Sequence, residues 1–209
     1  MSLFLHRFKN KFNEIETKYK NLKVIQELSI SDLELYKIGK ENEQLYDLPN
    51  KRNELKDTEN YMFLMLAKLE FMKKTINLNP YNSDCFCWFD FSLPYIFKDV
   101  NNTLLKIKNI SNVKFKRDFL YIPGCWNFKI NDIDYLKDNI VWRFCGGFLL
   151  GDKNSIKKFY DVSNNNFLKF IKITKRLVWE VNYWAWLESI ELINPIWYLA
   201  DHNDTIIDI

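Results

Sequence analysis

From Cys85 to Phe91 every side chain is apolar except one, Asp90. The run Asp84-Cys85-Phe86-Cys87-Trp88-Phe89-Asp90-Phe91-Ser92 follows Asn79-Pro80-Tyr81-Asn82-Ser83 and precedes Leu93-Pro94, so turn-forming residues bound it on both sides. A short, continuous apolar run bounded in this way predicts a strand buried on both faces. A charge is too costly in the middle of such a strand. That puts Asp90 at its end, where a parallel sheet opens onto its ligand crevice. The plainer reading makes Asp90 the cap of the turn that follows.

Around this strand the chain has 209 residues, 47% of them apolar, which suits one domain over residues 1–209 with a sizeable core. The net charge of +3 is interspersed, so no strong polyanion-binding field arises. The basic stretch Lys106 to Arg117 alternates with Ile, Val and Phe, as the solvated face of a strand or connector does, and no nucleic-acid partner is expected. No run reaches the ~18 apolar residues of a membrane span, and Met1 to Arg7 meets charge too soon for a signal peptide. Cys85, Cys87, Cys125 and Cys145 lack a zinc spacing and read as small buried hydrophobes in a reducing compartment, the cytoplasm.

In chain order, Leu3-Phe4-Leu5 suits a strand end or a first helical turn. Phe8, Phe12, Ile15 and Tyr19 predict a helix to Lys20, and Lys23 to Leu28 a strand. Ser31-Asp32-Leu33-Glu34 matches a capping box opening a short helix to Tyr36. Lys37 to Leu55 loses its pattern and predicts a surface loop near the site mouth. Asp57-Thr58 caps a helix to Ile76. Strands are expected at Asp118–Ile122, Ile140–Phe144 and Pro195–Leu199, and helices over Ser155–Ile173, broken at Asn164-Asn165-Asn166, and Leu177–Leu187. Helices alternating with continuous apolar strands predict an α/β fold with a mostly parallel sheet.

Three features beyond Asp90 are candidates for chemistry. Gly146-Gly147, with Gly151, allows close backbone approach to a ligand, or forms a plain bulge between two half-strands. Glu180 shares a helix face with Tyr183, Trp184 and Leu187, and is a candidate general base, a sugar-hydroxyl acceptor or an ordinary surface charge. If the helix is buried, that charge must pair with a cation such as Lys68 or Arg143, or open onto the cleft; the cleft is the expectation here. His202, between Asp201 and Asn203, suits a manganese-type site of mixed oxygen and imidazole ligands, or a structural role.

Several of these stretches occur together in one order. Lys56-Asp57-Thr58, Tyr61, Lys68-Leu69-Glu70-Phe71, Asn79-Pro80-Tyr81-Asn82 and Trp88-Phe89-Asp90-Phe91 are followed by Cys145 to Gly151, Glu180 to Trp186 and Ala200-Asp201-His202-Asn203. In this the chain resembles, over about residues 20 to 207, the WlaTC/HtrL/YibB group of bacterial glycosyltransferases. The resemblance implies a GT-A-like, Rossmann-type domain and transfer of a sugar from a nucleotide-sugar donor, UDP-type, to a glycan acceptor with Mn2+ or Mg2+. It implies Asp90 as the strand-end metal ligand, His202 as a late ligand, and Ser92 where the group has a second acid. Gly146, Gly147, Trp184 and Asn182 would then meet substrate, and Glu180 would be the catalytic base or sugar anchor. The group's first strand-helix unit has no counterpart here, the chain entering at the second strand, which implies a truncated start, or a remnant that binds sugar without turnover.

Overall fold

The computed structural model describes residues 14–19, 21–23, 28–110, 112–115 and 118–209. Residues 14–18 are helical, as the spacing of Ile15 and Tyr19 predicts. Leu3-Phe4-Leu5, Phe8 and Phe12, residues 24–27 of the expected strand, and Lys116-Arg117 lie outside the described residues.

Four strands form one sheet: β1 (Cys85–Phe89), β2 (Leu120–Gly124), β3 (Phe148–Asp152) and β4 (Ile196–Leu199), in the order β1-β3-β2-β4. β3 runs antiparallel to both β1 and β2, and among the described residues only β2 with β4 is a parallel pair. The fold is α/β, but its sheet is small and mixed. This corrects the expectation of a GT-A-like, Rossmann-type domain with a mostly parallel sheet. An apolar run reveals a strand and not its direction, and the strand that sets direction here is β3, hidden in a stretch that reads as a glycine loop. All five β3 residues are buried, whereas β1 lies at the sheet edge with Cys85 and Cys87 exposed and Phe86, Trp88 and Phe89 half-buried. Centre and edge are thus exchanged relative to the sequence reading.

Side chains of β3 alternate between two cores, as strand geometry requires. Leu149 joins the larger one, and Phe148 and Leu150 the smaller. Among the described residues six helices are eight residues or longer, α1 (Glu34–Glu41), α2 (Glu59–Leu66), α3 (Lys68–Leu78), α4 (Val100–Ile110), α5 (Lys153–Thr174) and α6 (Glu180–Ser189), and Ile133–Leu136 is a single shorter turn. α3 and α6 pack on α5, and with Phe63 of α2 they build the larger core from Leu69, Met72, Phe159, Phe167, Phe170, Tyr183 and Trp184. The smaller core holds Leu93, Phe97, Phe119, Cys145, Ala200 and Ile206.

Local chemistry explains where helices depart from expectation. α1 continues past Tyr36 to Glu41 because a carboxylate from another helix satisfies its first turn: Glu34 N–H donates to Glu70 Oε2 at 2.8 Å. The helix expected from Asp57-Thr58 to Ile76 is two, jointed at Ala67, with Thr58 Oγ1 accepting from Tyr61 N–H. Asn79 ends α3 in the left-handed region at φ 36°, and its amide brackets Ser83 on both backbone groups, launching β1. α5 is unbroken across Asn164-Asn165-Asn166, since Asn164 bonds outward to Glu34 and Asn166 to the Val162 carbonyl. Lys106 and Lys108 ride on α4 rather than on a strand or connector. Ile140–Phe144 is irregular, not a strand. Among the described residues no helix is long and apolar enough to cross a membrane.

Candidate functional site

A cavity of about 500 Å³ opens beside the end of β1, lined by Asp90, Ser92, Gly146, Gly147, Glu180 and His202. Six of the eight residues singled out in the sequence therefore meet at one place. The Lys37–Leu55 segment also reaches it, through Asn53, and Lys56 and Asp57 just after it line it too. Hollows of about 340 and 600 Å³ around Asp118 contain none of these groups.

The residue that organises the cavity is Lys68, at the start of α3 and only 2% exposed. Its ammonium donates to Asp90 Oδ2 at 3.0 Å, to the Gly146 carbonyl at 2.9 Å and to Glu180 Oε1 at 2.8 Å. Three acceptors match the three protons of an ammonium, so nothing of its charge is left unpaired. Burial alone would lower the Lys68 pKa, but Glu180 and then Asp90 outweigh it and hold the pKa above its usual value. Asp90 is fixed from its other side as well, since Trp88 Nε1 donates to Oδ1 at 2.7 Å. The Trp88 ring stacks on Phe71 of α3 and lies under the same ammonium, 5.9 Å from its centroid. Two carboxylates against one ammonium leave one surplus negative charge at the cavity wall.

Glu180 thus meets both alternatives at once: it lines the cavity and it pairs with Lys68. The other cation, Arg143, is taken by Glu188, with two bonds of 2.6 Å. Gly146 and Gly147 are explained by crowding. A Cβ at Gly146 would lie 2.2 Å from Glu180 Oε1, and one at Gly147 2.9 Å from Leu93 Cδ1. The Gly147 carbonyl also accepts from Asp90 N–H at 2.9 Å, which carries the β1–β3 pairing one step into the site.

Asn182 and Trp184 do not line the cavity. Asn182 is fully buried, accepts from Val141 N–H at 2.9 Å, and donates to the Leu136 and Asn139 carbonyls at 2.7 Å each. It holds the irregular Ile140–Phe144 segment in place. Trp184 packs edge-on against Phe159 in the larger core. The tryptophans at the cavity are Trp142 and Trp179.

His202 faces two ways. It borders the cavity, with its ring edge-on to Trp142 at 4.2 Å between centroids. Its Nδ1 lies 3.9 Å from Cys125 Sγ and 4.0 Å from Asp201 Oδ1. Cys125 Sγ is in turn 3.7 Å from Cys145 Sγ. Spacing along the chain gave no hint of this group, because β2 and the segments beside it bring together residues 20 and 77 positions apart.

A hard divalent cation at Asp90 would find one carboxylate, already accepting two hydrogen bonds, and the Ser92 hydroxyl. That set is sparse, and an ion held by it would have to be completed by water and substrate phosphates, the usual way Mg2+-like ions are held.

A family model described as a bacterial protein of unknown function, HtrL_YibB, matches residues 7–177. No curated protein and no solved structure matches the chain.

Proposed function

The chain belongs to the HtrL_YibB family of bacterial proteins, and from that premise we propose that it is a divalent-cation-dependent glycosyltransferase using a nucleotide-sugar donor. The family description carries no activity, so the reading rests on the cavity. The observation that carries it is the Asp90–Lys68–Glu180 cluster, in which the buried Lys68 and Glu180 meet the half-buried Asp90, with one surplus negative charge at the edge of a ligand-sized cavity. Such a wall repels a bare diphosphate and accepts one that arrives with a dication.

Asp90 and Ser92 would hold Mn2+ or Mg2+, which when bound supplies charge neutralisation for the leaving diphosphate. Lys68 fixes both carboxylates in position, a role worth more than its charge, because misplacement of a reacting group is costly in rate. Glu180 uses Oε1 for Lys68, and we assign its second oxygen to the acceptor hydroxyl, from which it takes the proton as the bond to the sugar forms. Trp142 and Trp179 offer flat apolar faces to the sugar rings. His202 is not needed as a ligand of this ion, since its Nδ1 is directed to Cys125 and Asp201.

A second reading, a sugar-binding module without turnover, is favoured by one observation: both Asp90 oxygens already have partners within the protein. Thermal shifts with UDP and Mn2+, added singly and together, separate the two. Stabilisation by the pair beyond the sum of its parts, followed by release of UDP from a UDP-sugar, supports the transferase. A shift with free oligosaccharide alone, and none with UDP and Mn2+, supports the module.

A further inference from the structure

We propose that Cys125, Asp201 and His202 form a binding site for a soft divalent metal, zinc above all, distinct from the Asp90 cation position. Their ligand atoms all lie within 4.8 Å of one another. Ligands around tetrahedral zinc, at bond lengths of about 2.0–2.3 Å, sit roughly 3.3–3.8 Å apart. The separations of 3.9 Å from Cys125 Sγ to His202 Nδ1 and 4.0 Å from His202 Nδ1 to Asp201 Oδ1 need to close by roughly half an ångström, and that between Cys125 and Asp201 by up to about 1.3 Å. Cys145 Sγ, 3.7 Å from Cys125 Sγ, does not belong to this group of three, so water would complete the coordination.

The backbone is already set for this. Cys125 follows the last residue of β2, and Asp201-His202 come shortly after β4, the parallel neighbour. Ala200 N–H donates to the Gly124 carbonyl at 2.9 Å, so the two strand ends are tied at the level of the ligands. Cys125 N–H donates to the Trp142 carbonyl at 2.8 Å, and the Trp142 ring braces the imidazole. Asp201 and His202 are exposed, which gives a metal its way in. Thiolate with imidazole selects zinc over the hard ions that suit Asp90 and Ser92. A metal here would clamp the segment after β4 to the end of β2 and so fix the cavity wall that His202 provides.

The test is a cobalt titration of the full chain, stripped with EDTA and reduced, with zinc content of the untreated protein measured by mass spectrometry. The expected result is one metal per chain, with a thiolate-to-cobalt charge-transfer band and the visible bands of a tetrahedral ion, displaced by zinc. Cys125→Ser should abolish the charge-transfer band, and His202→Ala should weaken binding by about tenfold or more. Cys85→Ser, on the exposed edge of β1, should leave both unchanged. A parent chain that binds no cobalt through thiolate, or a band that survives in Cys125→Ser, overturns the proposal. The parent titration needs no variant to fold, and it reads the same whether or not UDP and Mn2+ bind the cavity.

Discussion

Glu180 Oε1 fills the space in which Gly146 would carry a side chain, since a Cβ there would stand 2.2 Å from that oxygen. The Gly146 carbonyl and Glu180 Oε1 also share one donor, the Lys68 ammonium. Gly146→Ala therefore has to displace a carboxylate that is held in place, and should cost about 1–3 kcal/mol in denaturant unfolding while abolishing the response to UDP and Mn2+. Gly147→Ala meets only the tip of a leucine and should cost less. Equal stabilities for the two variants would show that the loop yields freely at Gly146.

Lys68→Met keeps the unbranched apolar stem and removes the charged terminal nitrogen. Asp90 and Glu180 are then left facing each other without a cation, and breaking a buried pair in this way costs about 3–5 kcal/mol. A matching fall in the denaturation midpoint is expected. Adding Glu180→Gln to Lys68→Met should restore part of the loss. A double variant no more stable than Lys68→Met alone would place the damage in packing rather than in charge.

Glu180→Gln retains an oxygen that can accept from Lys68, which still has Asp90 and the Gly146 carbonyl. Stability should fall by only about 1–2 kcal/mol, the order of one weakened hydrogen bond, while sugar transfer is lost. Transfer at the parental rate, measured as UDP release, would remove Glu180 from the chemistry.

Asp152 caps the long helix α5. Its Oδ1 accepts from Asn154 and Ser155 N–H, and its Oδ2 from Ser155 Oγ and Phe119 N–H. Burial alone would raise its pKa, but the Ser155 hydroxyl and the backbone amides outweigh it and hold the carboxyl below its ordinary value. A group depressed by folding stabilises fully above its unfolded pKa, about 3.9, and loses that contribution as pH falls through the lower folded value. Asp152→Ala should thus cost about 1–2 kcal/mol at neutral pH, with a gap to the parent that narrows in acid. A gap constant from neutral pH to below pH ~3 would show that the ionised form is not what caps the helix.

The sequence made some of this legible for reasons that can be named. Asp90 stood out as the single charge in an apolar run, and Gly146-Gly147 as a pair in a chain with five glycines; both reach the cavity. Strand direction did not show, because periodicity carries no sign of direction, and β3 was masked by the glycines at its ends. α6 is buried from Glu180 to Glu188, so no face of its pattern distinguishes cleft from core, and Asn182 and Trp184 fell on the wrong side. Lys68 was legible as one of two cations that could pair with Glu180, but not as the residue that also gathers Asp90 and the Gly146 carbonyl. Asp201 and His202 are neighbours in the chain, but Cys125 joins them only through the β2–β4 pairing, which spacing along the chain does not encode.

Lys68 draws its three acceptors from positions 22, 78 and 112 residues further along the chain. None of these contacts is local, so each requires a large loop to have closed first. The ammonium loses its water only when all three have arrived, and earlier arrival would expose it to the cost of burial without its partners. The cluster is therefore expected to form late in folding. Weakening it should leave the folding rate nearly unchanged and hasten unfolding instead, so that this triad of contacts governs how long the finished protein persists rather than how quickly it forms.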